Sequence, residues 1–422
     1  MEQGVEQVDR KDRIDQVGQR VETEPGKSGR GIFALSFGAF AYGAAEFVMM
    51  GVLTQAAAST HVSIPTAGHY ISAYAFGVCL GALILVFGRR AKPKNLLISF
   101  MIIALVGDLI AASAPNFALL LAGRFISGLP HGAFFGTATI VAQRLAAPGK
   151  EARSVSLMVT GQTVANMVGV PLGTLLGEKV SWRLAFAILA LWAAATAVLM
   201  LAWIPQLKPI PDAGLKGQFR FLKSPRAWLV LGAVLFGNTG IFCWWSYVSP
   251  WLTHVGTYSS AAVPALMALA GFGMVLGGLT AGRVSDHWVP GGTAALGQLL
   301  ATATLLVIFF DKGSRPTSAL LTFILAFGMF FVSAPQQYLM VKVSEGGGEM
   351  LGAALTQIAF NLGNSLGSII GGWALMAAFM DYHSIALAGA PIDLVAVILL
   401  GVFSARYEKH KRLPPIRGVE EV

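Results

Sequence analysis

Residues 37–53 read FGAFAYGAAEFVMMGVL, and residues 236–252, 199 positions on, read FGNTGIFCWWSYVSPWL. Three further pairs keep the order and nearly the offset: GVCLGAL from Gly77 with GMVLGGL from Gly273 (196), PHG at Pro130 with PQQ at Pro335 (205), and VGVPLGTLLG ending at Gly177 with LGNSLGSIIG ending at Gly371 (194). One such match is weak, because small residues abound in membrane helices. Four in one order describe a chain built twice on one plan.

That plan belongs in lipid. Of 422 residues, 55% are hydrophobic and 12% charged, about half the charge of a soluble domain, and 13 of the 51 charged residues fall in residues 1–30. A hydrocarbon core ~30 Å thick takes about 20 apolar residues in a helix. Twelve such segments are predicted, near 31–57, 67–88, 94–113, 117–143, 154–177, 184–204, 227–252, 260–282, 292–310, 317–341, 350–376 and 385–406. The expected fold is an all-α polytopic membrane protein: a disordered cytoplasmic tail (1–30), a six-helix bundle (31–204), a Pro- and Lys-rich cytoplasmic linker (205–226), a second six-helix bundle (227–408) and a cytoplasmic tail (409–422). With both termini cytoplasmic, the inside segments hold 25 of the 30 Lys and Arg residues, and the outside loops hold only Lys179, Arg183, Lys312 and Arg315, as the positive-inside rule asks. Residues 1–30 lack an apolar h-region, so they are not read as a signal peptide. Basic residues scattered over short loops speak against a nucleic-acid partner. Cys79 and Cys243 fall within spans and are read as buried thiols rather than a disulfide.

The chain resembles the major facilitator superfamily, and within it the drug:proton antiporter branch that includes sugar-efflux and purine-efflux permeases. The carriers of the resemblance are AAEFVMMGVL (44–53) in the first helix, GRFISGLPHGAFFG (123–136) in the fourth and GQTVANMVGVPLGTLLG (161–177) in the fifth. It extends over residues 31–406. The resemblance implies two six-helix halves that rock about a midplane site, and export driven by protons. It also implies latching loops on the cytoplasmic side. In the second half GGLTAGRVSD supplies Arg283 and Asp286, whereas FGRRAKPK in the first half has the bases without the family's acid.

Four ionisable residues stand well inside predicted spans: Glu46, Asp108, Arg124 and His131, with Asp393 as a possible fifth. A charge at a helix centre costs about 2.5 to 3.5 kcal/mol on insertion scales, so each needs a partner, water or a neutral form. Low-dielectric surroundings favour the neutral form of a carboxylic acid, which makes Glu46 the leading proton-coupling candidate. A fixed Glu46–Arg124 ion pair is the purely structural alternative. Arg124, Gly128, His131 and Phe135 recur on one helical face; Arg124 cannot deprotonate, and an imidazole such as His131 changes charge near neutral pH. Arg124, His131 and Asp108 are therefore proton-coupling candidates beside Glu46, placed by depth to share one cavity with it; for Asp108 the competing reading is a position near the headgroups, and Asp393 is expected near a helix start after Pro391.

Helix 5 carries Gly161, Gly169, Gly173 and Gly177 on one face with Pro171 among them, a pattern resembling the superfamily's antiporter motif. Small residues let backbones approach closely, and the expected role is a deformable contact between the halves. The cavity is expected to draw substrate-binding residues from Tyr42, Phe135, Gln162 and Asn166 in the first half. The second half offers Asn238, Phe242, Trp245, Gln336, Gln337, Gln357, Asn361 and Asn364, amides and aromatics that suit a neutral, hydroxyl-rich or heterocyclic molecule. Trp251 is expected to anchor at the membrane interface. No H-E-x-x-H, metal-spaced histidines or P-loop appears, so neither an enzyme, a metal nor a cofactor is expected; the proton gradient is the energy source. The expectation is a monomer in a bacterial-type inner membrane, exchanging protons for a small molecule across the bilayer. An importer of the same fold is the nearest alternative.

Overall fold

In lipid every backbone N–H and C=O must be satisfied within the chain, and every described element is helical. The computed structural model describes residues 25–88, 91–147, 151–207, 219–311, 313–345 and 349–408. The expected tails at 1–24 and 409–422, the middle of the expected linker at 208–218, and Arg89 and Arg90 of the first latch lie outside the described residues. Among the described residues nine stretches are long and apolar enough to cross a membrane. One of these, Leu157–Trp203, has 47 residues, about 70 Å if straight at ~1.5 Å per residue, more than twice the ~30 Å of hydrocarbon. It turns at Ser181, whose backbone is extended (φ −168°, ψ 136°) and whose hydroxyl accepts from Arg183 N.

Dividing there, and adding the helices His69–Gly88 and Glu349–Ala377, gives twelve rods. They are α1 Pro25–Gly51, α2 His69–Gly88, α3 Pro93–Ser113, α4 Phe117–Leu145, α5 151–181, α6 Trp182–Trp203, α7 Pro225–Trp245, α8 Val263–His287, α9 Pro290–Phe310, α10 Arg315–Val343, α11 Glu349–Ala377 and α12 Ser384–Phe403. Proline opens α3, α7 and α9, where its missing N–H costs nothing.

The strongest pairings in the first half are α1 with α5, α1 with α6, α3 with α6, α3 with α4 and α2 with α4. In the second they are α7 with α11, α7 with α12, α9 with α12, α9 with α10 and α8 with α10, the same five shifted by six helices. The glycines of the sequence repeat sit on these seams. A Cβ at Gly77 or Gly81 on α2 would run into Phe125 O and Leu129 O of α4; one at Gly273 or Gly277 on α8 would run into Phe323 O and Phe327 O of α10. The halves meet along α2 with α11 and α5 with α8, two contacts that exchange when the halves are exchanged.

Three expectations change. Helix α1 begins at Pro25, so the last six residues of the expected tail are helical. Helix α12 keeps its expected start, at Ser384, but runs unbroken through Pro391, so Asp393 lies mid-helix rather than near a helix start, because packing of Gly389 against Gly240 holds the helix where proline removes a hydrogen bond. Trp251 is fully buried against Trp244, 5.0 Å between ring centroids, and is not an interface anchor. The physical reason is a bend. Beyond Trp245 the chain turns into a short helix, Val248–His254, which packs on α1 and on the short helix Leu53–Ser59 that follows it.

Candidate functional site

Glu46 sits on α1, 5% exposed. Beside it Arg124 is completely buried; its Nη1 donates to Ala45 O (2.8 Å) and its Nε to Tyr70 O (3.4 Å). The guanidinium carbon lies 4.3 Å from the centre of the Tyr74 ring, a cation–π contact, while Nη2 has no partner. Glu46, Asp108 and Tyr74 all interact electrostatically with this guanidinium, but Glu46 and Arg124 form no direct ion pair within 4.0 Å. The fixed pair of the structural alternative is absent.

Asp108 on α3 is buried beside Ser127, whose hydroxyl donates to Arg124 O, and its Oδ1 has no partner. It therefore joins the cluster rather than the headgroups, because α3 packs Gly107 directly on the Ser127 backbone of α4. His131 Nδ1 is 2.9 Å from Tyr74 Oη, and the ring lies against Tyr42 and Phe135 at 5.3 and 5.2 Å. Tyr42 itself donates to Phe100 O (2.9 Å) in the core between α1, α3 and α4. Sequence reasoning missed Tyr70 and Tyr74; their signal was two tyrosines one turn apart on the largely apolar α2.

The second half reaches this cluster directly. Asn364 Nδ2 on α11 donates to Glu46 Oε1 at 3.4 Å, and the Asn364 Oδ1 has no partner. At the next residue and one turn further along α11 the halves are sewn together: Ser72 and Ser365 each donate to the other's carbonyl (3.1 and 3.2 Å), and Ser368 donates to Gly68 O (2.7 Å). Beneath lies a cavity lined by Phe47, Met50 and Asn166 from the first half and Trp245, Met267 and Met274 from the second. Both amide atoms of Asn166 and the indole N–H of Trp245 are buried without partners. Buried polar groups in folded proteins are nearly always paired, which sets Asn166 and Trp245 apart from the apolar side chains that line the rest of the cavity.

Comparison with known proteins fits this arrangement. Residues 35–358 match the family described as "Major Facilitator Superfamily". The chain belongs to the major facilitator superfamily. It is 40% identical over 381 residues to a protein of Escherichia coli (strain K12) named as a transporter, AraJ, covering 90% of this chain and 96% of that one. It is 24% identical over 384 residues, 90% and 96% of the two chains, to a Helicobacter pylori (strain G27) protein named "Probable sugar efflux transporter". Among solved structures it shares its fold with a bacterial homologue of the human lysosomal transporter Spinster (TM-score 0.68, 18% identity, 91% and 96% of the chains) and with the peptide transporter POT (TM-score 0.71, 13% identity, 88% and 94%).

Within this major facilitator fold the remaining candidates separate. The helix 5 glycines pack inside their own half: a Cβ at Gly161, Gly169 or Gly173 would meet Ser36, Phe40 or Val48 of α1, and one at Gly177 would meet Val52 just beyond its end. They are not the contact between halves; Gly271 of α8 is, lying on the Asn166 and Met167 backbone. Pro171 follows a π-helical turn, Ala165–Gly169, in which Val170 N donates to Ala165 O, and that wider turn pushes Asn166 toward α8. Gln162 lies against Gly43. In the second half Phe242 is a core ring between Phe47 and Phe360. Asn238 and Gln336 line a second cavity beside Gln298. Gln336 and Gln337 diverge, because neighbours on a helix cannot share a face: Gln337 is exposed, its amide on Ser333 Oγ (3.1 Å). Asn361 Nδ2 donates to Gln357 O (3.0 Å) and its Oδ1 is unpartnered. Arg283 is exposed at the end of α8, and the Asp286 side chain lies outside the described residues. Cys79 and Cys243 are free thiols.

Proposed function

We propose that the protein exports a small, neutral, hydrogen-bonding organic molecule in exchange for protons, by alternating access of a site between its halves. The observation that carries this reading is the Glu46–Asn364 hydrogen bond, which ties a carboxyl group of one half to an amide of the other. One guanidinium, Arg124, faces two buried carboxyl groups, Glu46 and Asp108, and unpaired buried charge is costly. Electrical neutrality is reached when one of the two carboxyl groups holds a proton. Motion of α11 away from α1 removes the Asn364 donor from Glu46 and changes the balance between the ionised and neutral acid. Proton release and the movement of the halves are thereby one event.

The cargo would meet Asn166, Trp245, Asn361 and Asn364, whose unpartnered donors and acceptors suit hydroxyls or ring nitrogens and leave no charge for an ionic group. The name of the Helicobacter relative supports beginning with sugars. The protein acts as a monomer in the inner membrane, needs no cofactor and draws on the proton gradient. The test is proton release from purified protein in weakly buffered detergent on adding pentoses, hexoses or nucleosides in turn. The reading predicts release with at least one of these and none from Glu46→Gln with the same compound. Equal release from both proteins removes Glu46 from the mechanism.

A further inference from the structure

Asp393 lies at the centre of the second half, on α12, with no exposed surface. Two side chains of α9 hold its carboxyl group: Gln298 Nε2 donates to Oδ1, and Thr302 Oγ1 donates to Oδ2 at 2.5 Å. From α7, Gly240 lies flat on Asp393, where any side chain would collide, and Cys243 packs on Gly389 one turn before it. Helices α9 and α12 carry no other ionisable residue, α7 adds the Cys243 thiol and Arg226 at its start, and α11 only Glu349 at its start. No cation of the described residues pairs with Asp393, so its environment differs from that of Glu46, where Arg124 is at hand. An isolated buried carboxylate is costly enough that such groups neutralise by taking a proton.

Gln298 has a second neighbour. Its carboxamide lies against Gly237 and forms part of the wall of the cavity lined by Asn238, Ser333, Gln336 and Phe360. A primary amide is a donor at one end and an acceptor at the other. We propose that Asp393 is a second proton-binding residue of this protein, and that Gln298 relays its charge state to this cavity. With Asp393 ionised, the Gln298 N–H donates to the carboxylate and its carbonyl is the end left for the cavity. When a hydronium ion gives up a proton, its O–H bond breaks to leave water and an O–H bond forms on Asp393; that O–H donates to the Gln298 carbonyl, and the amide turns its N–H to the cavity. The cavity is an acceptor site in one state and a donor site in the other, selective for which polar group a neutral ligand presents.

The test uses the full chain in detergent and the proton alone as probe, with infrared difference spectra recorded through a pH titration. Wild type is expected to show a carbonyl band of a protonated carboxylic acid that disappears in Asp393→Asn and persists in Glu46→Gln. In Gln298→Leu the band is expected to shift in frequency and in titration midpoint. Spectra of Asp393→Asn superimposable on wild type throughout the titration would overturn the proton site. A band indifferent to Gln298→Leu would overturn the relay. If Asp393→Asn is not monodisperse, Thr302→Val decides: removing one hydrogen bond to the carboxyl group must move the midpoint, and an unmoved midpoint sinks the proposal. Because the band survives Glu46→Gln, the outcome is independent of the export reading.

Discussion

At position 124 the chain buries a guanidinium that reaches two backbone carbonyls, an aromatic face and the field of two carboxyl groups. Breaking a buried charge set by removing one partner costs about 3 to 5 kcal/mol. Arg124→Leu should therefore lower the melting temperature sharply, and Arg124→Leu with Asp108→Asn should recover part of the loss, as read by thermal unfolding in detergent. A double variant no more stable than the single one would mean that packing, not charge, explains Arg124. Tyr74→Phe leaves His131 Nδ1 without its hydroxyl partner and should cost about 1 kcal/mol in the same assay. The residues of this cluster were legible in the sequence because charge is conspicuous in lipid: Glu46, Arg124 and His131 announce themselves. Tyr70, Tyr74 and the contact of Asn364 with Glu46 did not, since tyrosines and amides are ordinary in membrane helices and only the fold says which of them meet. The mid-helix place of Asp393 was not legible for a different reason. Pro391 beside it reads as a helix boundary, and packing overrode that signal.

Among elements, glycine says that two backbones approach closely, and it does not say which two. The helix 5 stripe was expected between the halves, whereas it seats α5 on α1; its partner stripe of Gly363, Gly367 and Gly371 seats α11 on α7 in the same way. Adjacent glycines on α8 provide a clean contrast. A Cβ at Gly277 would strike Phe327 O of α10, while one at Gly278 would meet nothing within 4 Å. Gly277→Ala should destabilise by about 1 to 3 kcal/mol, and Gly278→Ala should be neutral or stabilise by up to ~1 kcal/mol, the helix preference of alanine over glycine. Equal effects in a thermal shift series would show that α8 and α10 do not pack as described.

For the whole molecule, the duplication was legible because both copies solve one packing problem, and the glycines at 77 and 81 and at 273 and 277 are its imprint. What the repeat could not give is how the copies face each other, since no motif of either half encodes α2 against α11 and α5 against α8. That interface must open if the halves rock. In protein carrying Cys79→Ser and Cys243→Ala, the pair Ser72→Cys and Ser365→Cys should cross-link on oxidation, stop transport, and recover it on reduction. Full transport by the cross-linked protein would fix the interface as permanent. The most direct test of proton-for-cargo exchange is uphill transport in liposomes with an imposed pH gradient, using the compound that elicits proton release. Wild type should accumulate it against its concentration gradient, and Glu46→Gln should still exchange it across equal concentrations yet fail to accumulate it. Accumulation by Glu46→Gln at the wild-type level would contradict the account.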